Sequence, residues 1–177
     1  MIFRNDDVNP STNKRFLLDM YWYIKNKFPN AKILSGVTIF GNKNSEGSVY
    51  PGVPFKNKPI SWFYKVNAML GDGVCQSKWH ETASHGLLHL NHANLSPDAQ
   101  ELSIATSCEM LNTRKFIAPF NQYNDDTKQI CKDFGIELVQ ESANWLSIEH
   151  NKFDPEHKFW YFHSWKYSRE KLMEVLG

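Results

Sequence analysis

The chain has 177 residues, 41% hydrophobic and 22% charged, a globular mixture that excludes wholesale disorder and suffices for one domain with a real core. Lys and Arg total 20 against 19 Asp and Glu, a formal charge of +1, so no general electrostatic grip on nucleic acid or an anionic membrane is expected. No apolar run approaches the roughly 18–20 residues of a transmembrane helix, and the opening Met-Ile-Phe-Arg-Asn-Asp-Asp lacks the apolar stretch of a signal peptide.

Residues 2–5 predict a short strand, ended by Asp6, Asp7 and Asn9-Pro10. Ser11 or Thr12 then caps a helix. Its apolar face, Phe16, Leu17, Met20, Tyr21 and Ile24, recurs at helical spacing, and Pro29-Asn30 stops it. Residues 31–40 are β-branched and apolar (Ile33, Val37, Ile39) and predict a second strand. Residues 41–59 form a long polar stretch rich in Gly, Pro, Asn and Ser; a loop of this length is usually functional or mobile, and with Tyr50 and the following Trp62 it is either a substrate wall or a flexible surface loop. Residues 62–70 predict a short helix closed by Gly71-Asp72-Gly73, and residues 78–84 a strand leading into His85-Gly86. Ser96-Pro97 opens a helix to about Leu111, with Ser as cap and Pro at the first helical position. A strand over 115–118 ends in Pro119-Phe120-Asn121. Asn124-Asp125-Asp126 starts a helix that a glycine cap ends at Phe134-Gly135. Strands follow over 136–139 and 159–162, the latter ending in His163-Ser164-Trp165, and Ser168 caps a last helix over 169–176. The alternation predicts a single α/β domain over 1–177 with six or seven mainly parallel strands, open or closed into a barrel.

Cys75, Cys108 and Cys131 are odd in number and form no CxxC pair, so buried apolar roles in a reduced, cytoplasmic setting are expected. Aromatic residues at 14%, six of them Trp, suit a packed core and equally a surface on which sugar rings stack.

In parallel α/β folds chemistry gathers at the carboxyl ends of strands. Four predicted strand ends carry it here: Asp6-Asp7, His85, Pro119-Phe120-Asn121 and His163. Each has a plainer reading alone. Asp6-Asp7 suits a turn, His163 a satisfied core histidine, and His85 with His89 two surface histidines. On a helical turn, however, His85 and His89 share a face and can hold one metal. His80 and His92 lie nearby but out of phase. Two histidines and one carboxylate make a three-ligand zinc site with a position left for water. A second adjacent carboxylate can act as general base, and a histidine across the site can protonate a leaving group. Such a set hydrolyses an amide or ester. Strand alternation places Arg4 on the same face as Asp6. Arg4 lies either inside the sheet beneath Asp6, where Glu81 (four before His85) is in phase to pair with it, or outside with its stem on a helix.

At these residues the sequence resembles the NodB-type polysaccharide deacetylases, the family 4 carbohydrate esterases. The family's TFDDG is matched by Phe3-Arg4-Asn5-Asp6-Asp7-Val8, and its H-[S/T]-x-x-H by His85-Gly86-Leu87-Leu88-His89. Its R-P-P-[YF]-G is matched by Ile117-Ala118-Pro119-Phe120-Asn121, and its last histidine by Trp160-Tyr161-Phe162-His163. The order is the family's, over residues 3–163. The resemblance implies a distorted (β/α) barrel of about seven mainly parallel strands that removes an acetyl group from an N-acetylated sugar. It implies Asp6 as base, His163 as acid, the Phe120 N–H as an oxyanion donor, and Asp7, His85 and His89 as ligands of a divalent metal, with zinc the expected ion. Arg4, Glu81, Asn121 and Trp165 are the expected supporting or substrate-contacting residues. The departures are Val8, Gly86 and Asn121, Ile117 where an arginine orients the base, and Asn144-Trp145 for an Asp-Trp segment. The last leaves no carboxylate assigned to His163. The chain resembles the shorter intracellular relatives associated with surface-polysaccharide assembly, such as O-antigen or capsule, which implies a precursor sugar as substrate. The rival reading is a catalytically silent relative that binds a glycan or partner, and loss of the arginine at Ile117 is its best support. A hydrolase of another small amide is the third reading.

Overall fold

The computed structural model describes residues 1–9, 12–40 and 78–177. The 41–59 wall with Tyr50, the predicted helix over 62–70 with Trp62, Ser11 and Cys75 lie outside these residues. Seven parallel strands form one sheet: β1 (Ile2–Val8), β2 (Lys32–Val37), β3 (His80–Ser84), β4 (Lys115–Phe116), β5 (Glu137–Leu138), β6 (Leu146–Ser147) and β7 (Phe159–His163). Their order is β5-β4-β3-β2-β1-β7-β6, every neighbouring pair parallel, and the sheet curls into a half-barrel. The helices are α1 (Lys14–Lys27), α2 (Pro97–Met110), α3 (Asp125–Asp133) and α4 (Arg169–Leu176). Among the described residues no helix is long and apolar enough to cross a membrane.

Caps fix where the helices begin. Asn13, not Ser11 or Thr12, accepts from Phe16 N at the start of α1, while Thr12 Oγ1 accepts from Asn9 N to close the preceding turn. Ser96 and Ser168 cap α2 and α4 as expected, and Asn124 opens α3 in a reciprocal capping box with Thr127. Two apolar clusters lie outside the sheet. One joins α1 and α4 to β1, β2 and β7 through Phe3, Leu17, Met20, Ile24, Trp160, Phe162 and Leu172; the other joins α2 and α3 to β4 and β5 through Ile104, Phe116, Ile130 and Leu138. The third fills the concave side with Leu34, Ala83, Ile117 and Val139, flanked by Ile2 and Trp145. Alternation along the strands separates the two faces.

The two sheet edges, β5 and β6, are consecutive in the chain, so residues 139–145 cross the open seam. Trp145 Nε1 donates to Val139 O at 3.0 Å across that link. β6 is only two residues long and was not among the predicted strands; Leu146-Ser147 is too short to leave a periodic signal. β4 and β5 are also shorter than the sequence predicts. β1 is longer. It runs through Asp6 and Asp7 to Val8 rather than ending at Asn5.

Candidate active site

That longer β1 builds the centre of the site. Its register against β2 jumps from Asn5↔Ser35 to Val8↔Val37, a bulge, and Asp7 takes φ 64°. An aspartate tolerates this left-handed conformation better than most residues. The bulge breaks strict alternation, so consecutive carboxylates both face the mouth of the half-barrel. Gly36 on β2 leaves room for them: a Cβ there would stand 3.3 Å from Asp6 Oδ1 and 3.2 Å from Ile117 Cδ1.

His85 follows β3 directly, and Gly86, at φ 87°, turns the chain away from the strand direction. The segment 85–91 is not helical, so His85 and His89 do not share a helix face as the four-residue spacing suggested. A loop brings them together instead, their rings 5.0 Å apart. Serines and His92 brace that loop. Ser84 Oγ accepts from Gly86 N at 3.1 Å, Ser103 Oγ accepts from Leu87 N at 3.3 Å, and His92 Nε2 lies 3.1 Å from Ser103 Oγ. Burial lowers the pKa of His92 to about 4, so it is a neutral strut. Burial likewise lowers that of His80 to about 4, beneath α1, where its Nε2 lies 2.9 Å from Ser35 Oγ.

Asp7 Oδ1 lies 3.2 Å from His85 Nε2 and 2.8 Å from His89 Nε2. His85 Nδ1 sits 2.8 Å from Ile117 O and must donate to it, because a carbonyl only accepts. The Nε2 of His85 therefore faces a carboxylate oxygen, and a lone pair there calls for a cation or a proton between them. Burial raises the Asp7 pKa, but the close approach of His85 and His89 outweighs it and holds the carboxyl well below its usual range. The ligand atoms of Asp7, His85 and His89 all lie within 4.8 Å of one another, a span one metal ion can bridge. Asp7 Oδ1 and His89 Nδ1 are buried without a hydrogen bond among the described residues, so the donor set fits a divalent cation. On the other side, Trp165, 42% exposed, donates its indole N–H to Asp7 Oδ2 at 3.0 Å.

Arg4 resolves the two readings of its position: it points into the half-barrel and is fully buried. Its Nη2 donates to Asp6 Oδ2 at 2.9 Å and to Asn121 Oδ1 at 2.8 Å. The guanidinium lies 4.8 Å from the Tyr161 ring centre and 5.0 Å from that of Trp145, two aromatic faces that favour a buried cation. The suggested Arg4–Glu81 pair does not form. Glu81, at the start of β3, instead bonds Lys115 Nζ at 2.5 Å, with Lys32 Nζ at 3.8 Å, away from the strand ends that carry the site. Asp6 Oδ1 is buried and without a hydrogen bond among the described residues.

Pairing of β1 with β7 sets His163 beside Asp6. The carboxylate that sequence reasoning left unassigned is Glu149, in the link between β6 and β7. Its Oε1 lies 2.6 Å from His163 Nδ1 and accepts from His163 N at 3.1 Å, while Oε2 accepts from Lys166 Nζ at 2.6 Å. Burial works against the His163 imidazolium, but the Glu149 bond and the charges of Asp7 and Asp6 outweigh it and raise its pKa. Burial of Glu149 is outweighed in turn, and its pKa falls to about 2. His163 Nε2 is left facing the site, 3.8 Å from Asp7 Oδ2. No spacing flags Glu149, because it reaches His163 through strand pairing across an irregular link. Phe120 and Asn121 follow Pro119 with φ 59° and 53°, and the Phe120 ring packs edge-on against His89 at 4.3 Å.

No protein-family model matches the sequence, and no curated protein matches it by sequence. Solved structures match it by shape. A variant of BA3943, described as a CE4 family pseudoenzyme with restored enzymatic activity, superposes with a TM-score of 0.66 at 14% identity over 99% of this chain. The wild-type pseudoenzyme, from Bacillus anthracis, gives 0.62 at 13% over 98%. This chain spans about three fifths of the length of both, 61% and 59%. A variant of the peptidoglycan deacetylase PdaC from Bacillus subtilis gives 0.63 at 13% identity, covering 99% of this chain and 81% of that one. A family 4 acetyl xylan esterase from Clostridium thermocellum, holding a cobalt ion, gives 0.58 at 12%, covering 99% and 82%. The chain therefore has the NodB-like fold of the family 4 carbohydrate esterases.

Proposed function

We propose that this chain is a metal-dependent hydrolase that removes the acetyl group from an N-acetylated sugar. The observation that carries the reading is the convergence of Asp7, His85 and His89 on one point, with Asp6 and His163 on adjacent strands beside it. Asp7, His85 and His89 would hold a divalent metal, zinc by the donor set, which when bound would lower the pKa of a water and polarise the acyl carbonyl. Arg4 holds Asp6 through Oδ2, leaving Oδ1 free to accept a proton as general base. His163 donates from Nε2 to the departing amine, its Nδ1 held by Glu149. The Phe120 N–H is the donor for the developing oxyanion. The exposed indole of Trp165 offers an apolar face for a pyranose ring beside this centre.

Surface-polysaccharide precursors in the cytoplasm are the substrate class we assign. Two cysteines, Cys108 and Cys131, are buried and unpaired, which is in keeping with a reduced compartment. The test is metal analysis of freshly purified protein, followed by acetate release from panels of acetylated sugar nucleotides and oligosaccharides. One equivalent of metal with acetate release is expected. Metal without hydrolysis of any acetylated sugar would favour the second reading, a silent glycan- or partner-binding domain, which the likeness to a pseudoenzyme keeps open. Hydrolysis confined to other small amides would point to the third.

A further inference from the structure

β4 and β5 pair only over Lys115↔Glu137 and Phe116↔Leu138, and two residues beyond the last pair a side chain replaces the ladder. Gln140 Oε1 accepts from Ala118 N at 3.1 Å, and its Nε2 donates to Ala118 O at 2.8 Å. This double bond fixes the orientation of the amide, since the flipped form would oppose oxygen to oxygen and N–H to N–H. The second Nε2 proton is thereby aimed at Asn121 Oδ1, 3.3 Å away. The same Asn121 oxygen accepts from Arg4 Nη2, which also holds Asp6. Arg4 has no other hydrogen-bond anchor among the described residues: Nε and Nη1 are buried without partners, and the ring faces of Trp145 and Tyr161 restrain its plane without fixing its rotation in that plane. Asn121 in turn occupies a left-handed backbone position, φ 53°, that needs support.

We propose that Gln140 is a positioning residue for the base, acting on Asp6 through Asn121 and Arg4. It does so from the edge of the sheet farthest from His163. The inference rests on the hydrolase reading, and its test separates the two. Gln140→Met removes all three bonds at similar volume. Gln140→Glu keeps the bond from Ala118 N but opposes an oxygen to Ala118 O and Asn121 Oδ1, and serves if the Met variant folds poorly. Both should lower kcat by about tenfold to a hundredfold, the cost of slight misplacement of a reacting group, with KM nearly unchanged. In an Arg4→Met background the same substitution should have no further effect on kcat, because the relay is already cut. An equal loss in that background, or an unchanged kcat in the single variants, overturns the proposal. An activity-independent reading comes from the Arg4 guanidinium ¹⁵N resonances, whose Nη rotation should be slow in the native protein and faster in Gln140→Met. If the native protein hydrolyses nothing, the hydrolase reading fails and this signal decides alone: faster rotation supports positioning by Gln140, and unchanged rotation overturns it.

Discussion

The two halves of the site, on either side of the Asp6-Asp7 pair, are built by different rules. The half around Asp7 draws on the few residue types that ligate a metal, two imidazoles and a carboxylate whose ligand atoms lie within 4.8 Å of one another. The half around Asp6 needs only a donor that reaches a carboxylate, and a donor can come from any strand whose side chains enter the half-barrel. Here it comes from Arg4 on β1, two residues before Asp6, while Ile117 on the segment after β4 is apolar and packs in the concave cluster. Ligand sets are thus tied to sequence positions and tethers are not. A missing tether in one strand says little until the whole concave face has been seen.

Breaking the Asp7 half should have the largest effect. In the His85→Ala/His89→Ala double variant, metal should be lost and acetate release should fall below detection, with the circular dichroism of the fold largely retained. Elemental analysis checks it; metal held at native stoichiometry would remove these residues from the ligand set. Breaking the Asp6 half should spare metal. Asp6→Asn should keep the ion and lose about 10²–10⁴-fold in turnover, the usual worth of a general base. Arg4→Met should lose turnover and also stability, about 3–5 kcal/mol by urea unfolding, because it strands a buried carboxylate. The comparison is sharpened by returning an arginine to position 117. Gly36 places Ile117 Cδ1 and Asp6 Oδ1 around one point, so Ile117→Arg should reach this oxygen, which has no hydrogen bond among the described residues, and restore part of the lost turnover in Arg4→Met. No recovery would show that the tether depends on its strand.

A smaller effect is expected at Gly36 itself. Its Cβ would press on both Ile117 and Asp6 Oδ1 at 3.2–3.3 Å, closer than ordinary contact. Gly36→Ala should lower kcat by about tenfold through displacement of the base, with metal content unchanged. A native kcat would show that the pocket around Asp6 yields.

How much of this was legible depended on whether a feature is local. The alternation of β1, α1, β2, β3, α2 and β7 showed in periodicity and caps, because each element buries one face along a continuous run. The strand ends at His85 and His163 were legible for the same reason, whereas Asp6-Asp7, expected to end β1, lie inside it. β6 was not legible, since two residues have no period. The bulge that turns Asp7 was not, since Asp-Asp reads as a turn. Glu81 was in phase with Arg4, but strand phase fixes only a face and not a height, and Lys115 on the adjacent strand reaches it first. Arg4's second partner after Asp6, Asn121, and the carboxylate of His163, Glu149, both sit in irregular links whose approach is set by strand order rather than by spacing.

Glu149 also supplies the mildest and most pH-specific prediction. Its folded pKa of about 2 lies below the ordinary 4.5, so it contributes stability that is present above about 4.5 and lost as pH falls toward 2. The pKa of His163 is raised above 6.5, so its share is present below 6.5 and lost as pH rises through the folded value. The pair is therefore worth most between about 4.5 and 6.5, on the order of 1–3 kcal/mol for a partly buried charged hydrogen bond. Glu149→Gln should lower the melting temperature most in that window and least at the acid extreme, where the native carboxylate is itself being protonated. Turnover adds an independent reading. In the proposed mechanism His163 is protonated to serve the leaving amine, and Glu149 opposes the loss of that proton. In Glu149→Gln the alkaline fall of kcat should move to lower pH, while turnover of an activated ester, whose leaving group needs no proton, should change less. Lys166→Met should act in the opposite sense on the same limb, because Lys166 draws on the Glu149 charge through Oε2. An alkaline limb that stays in place in both variants would mean that His163 does not supply the proton, and the Glu149 side of the site would then serve stability alone.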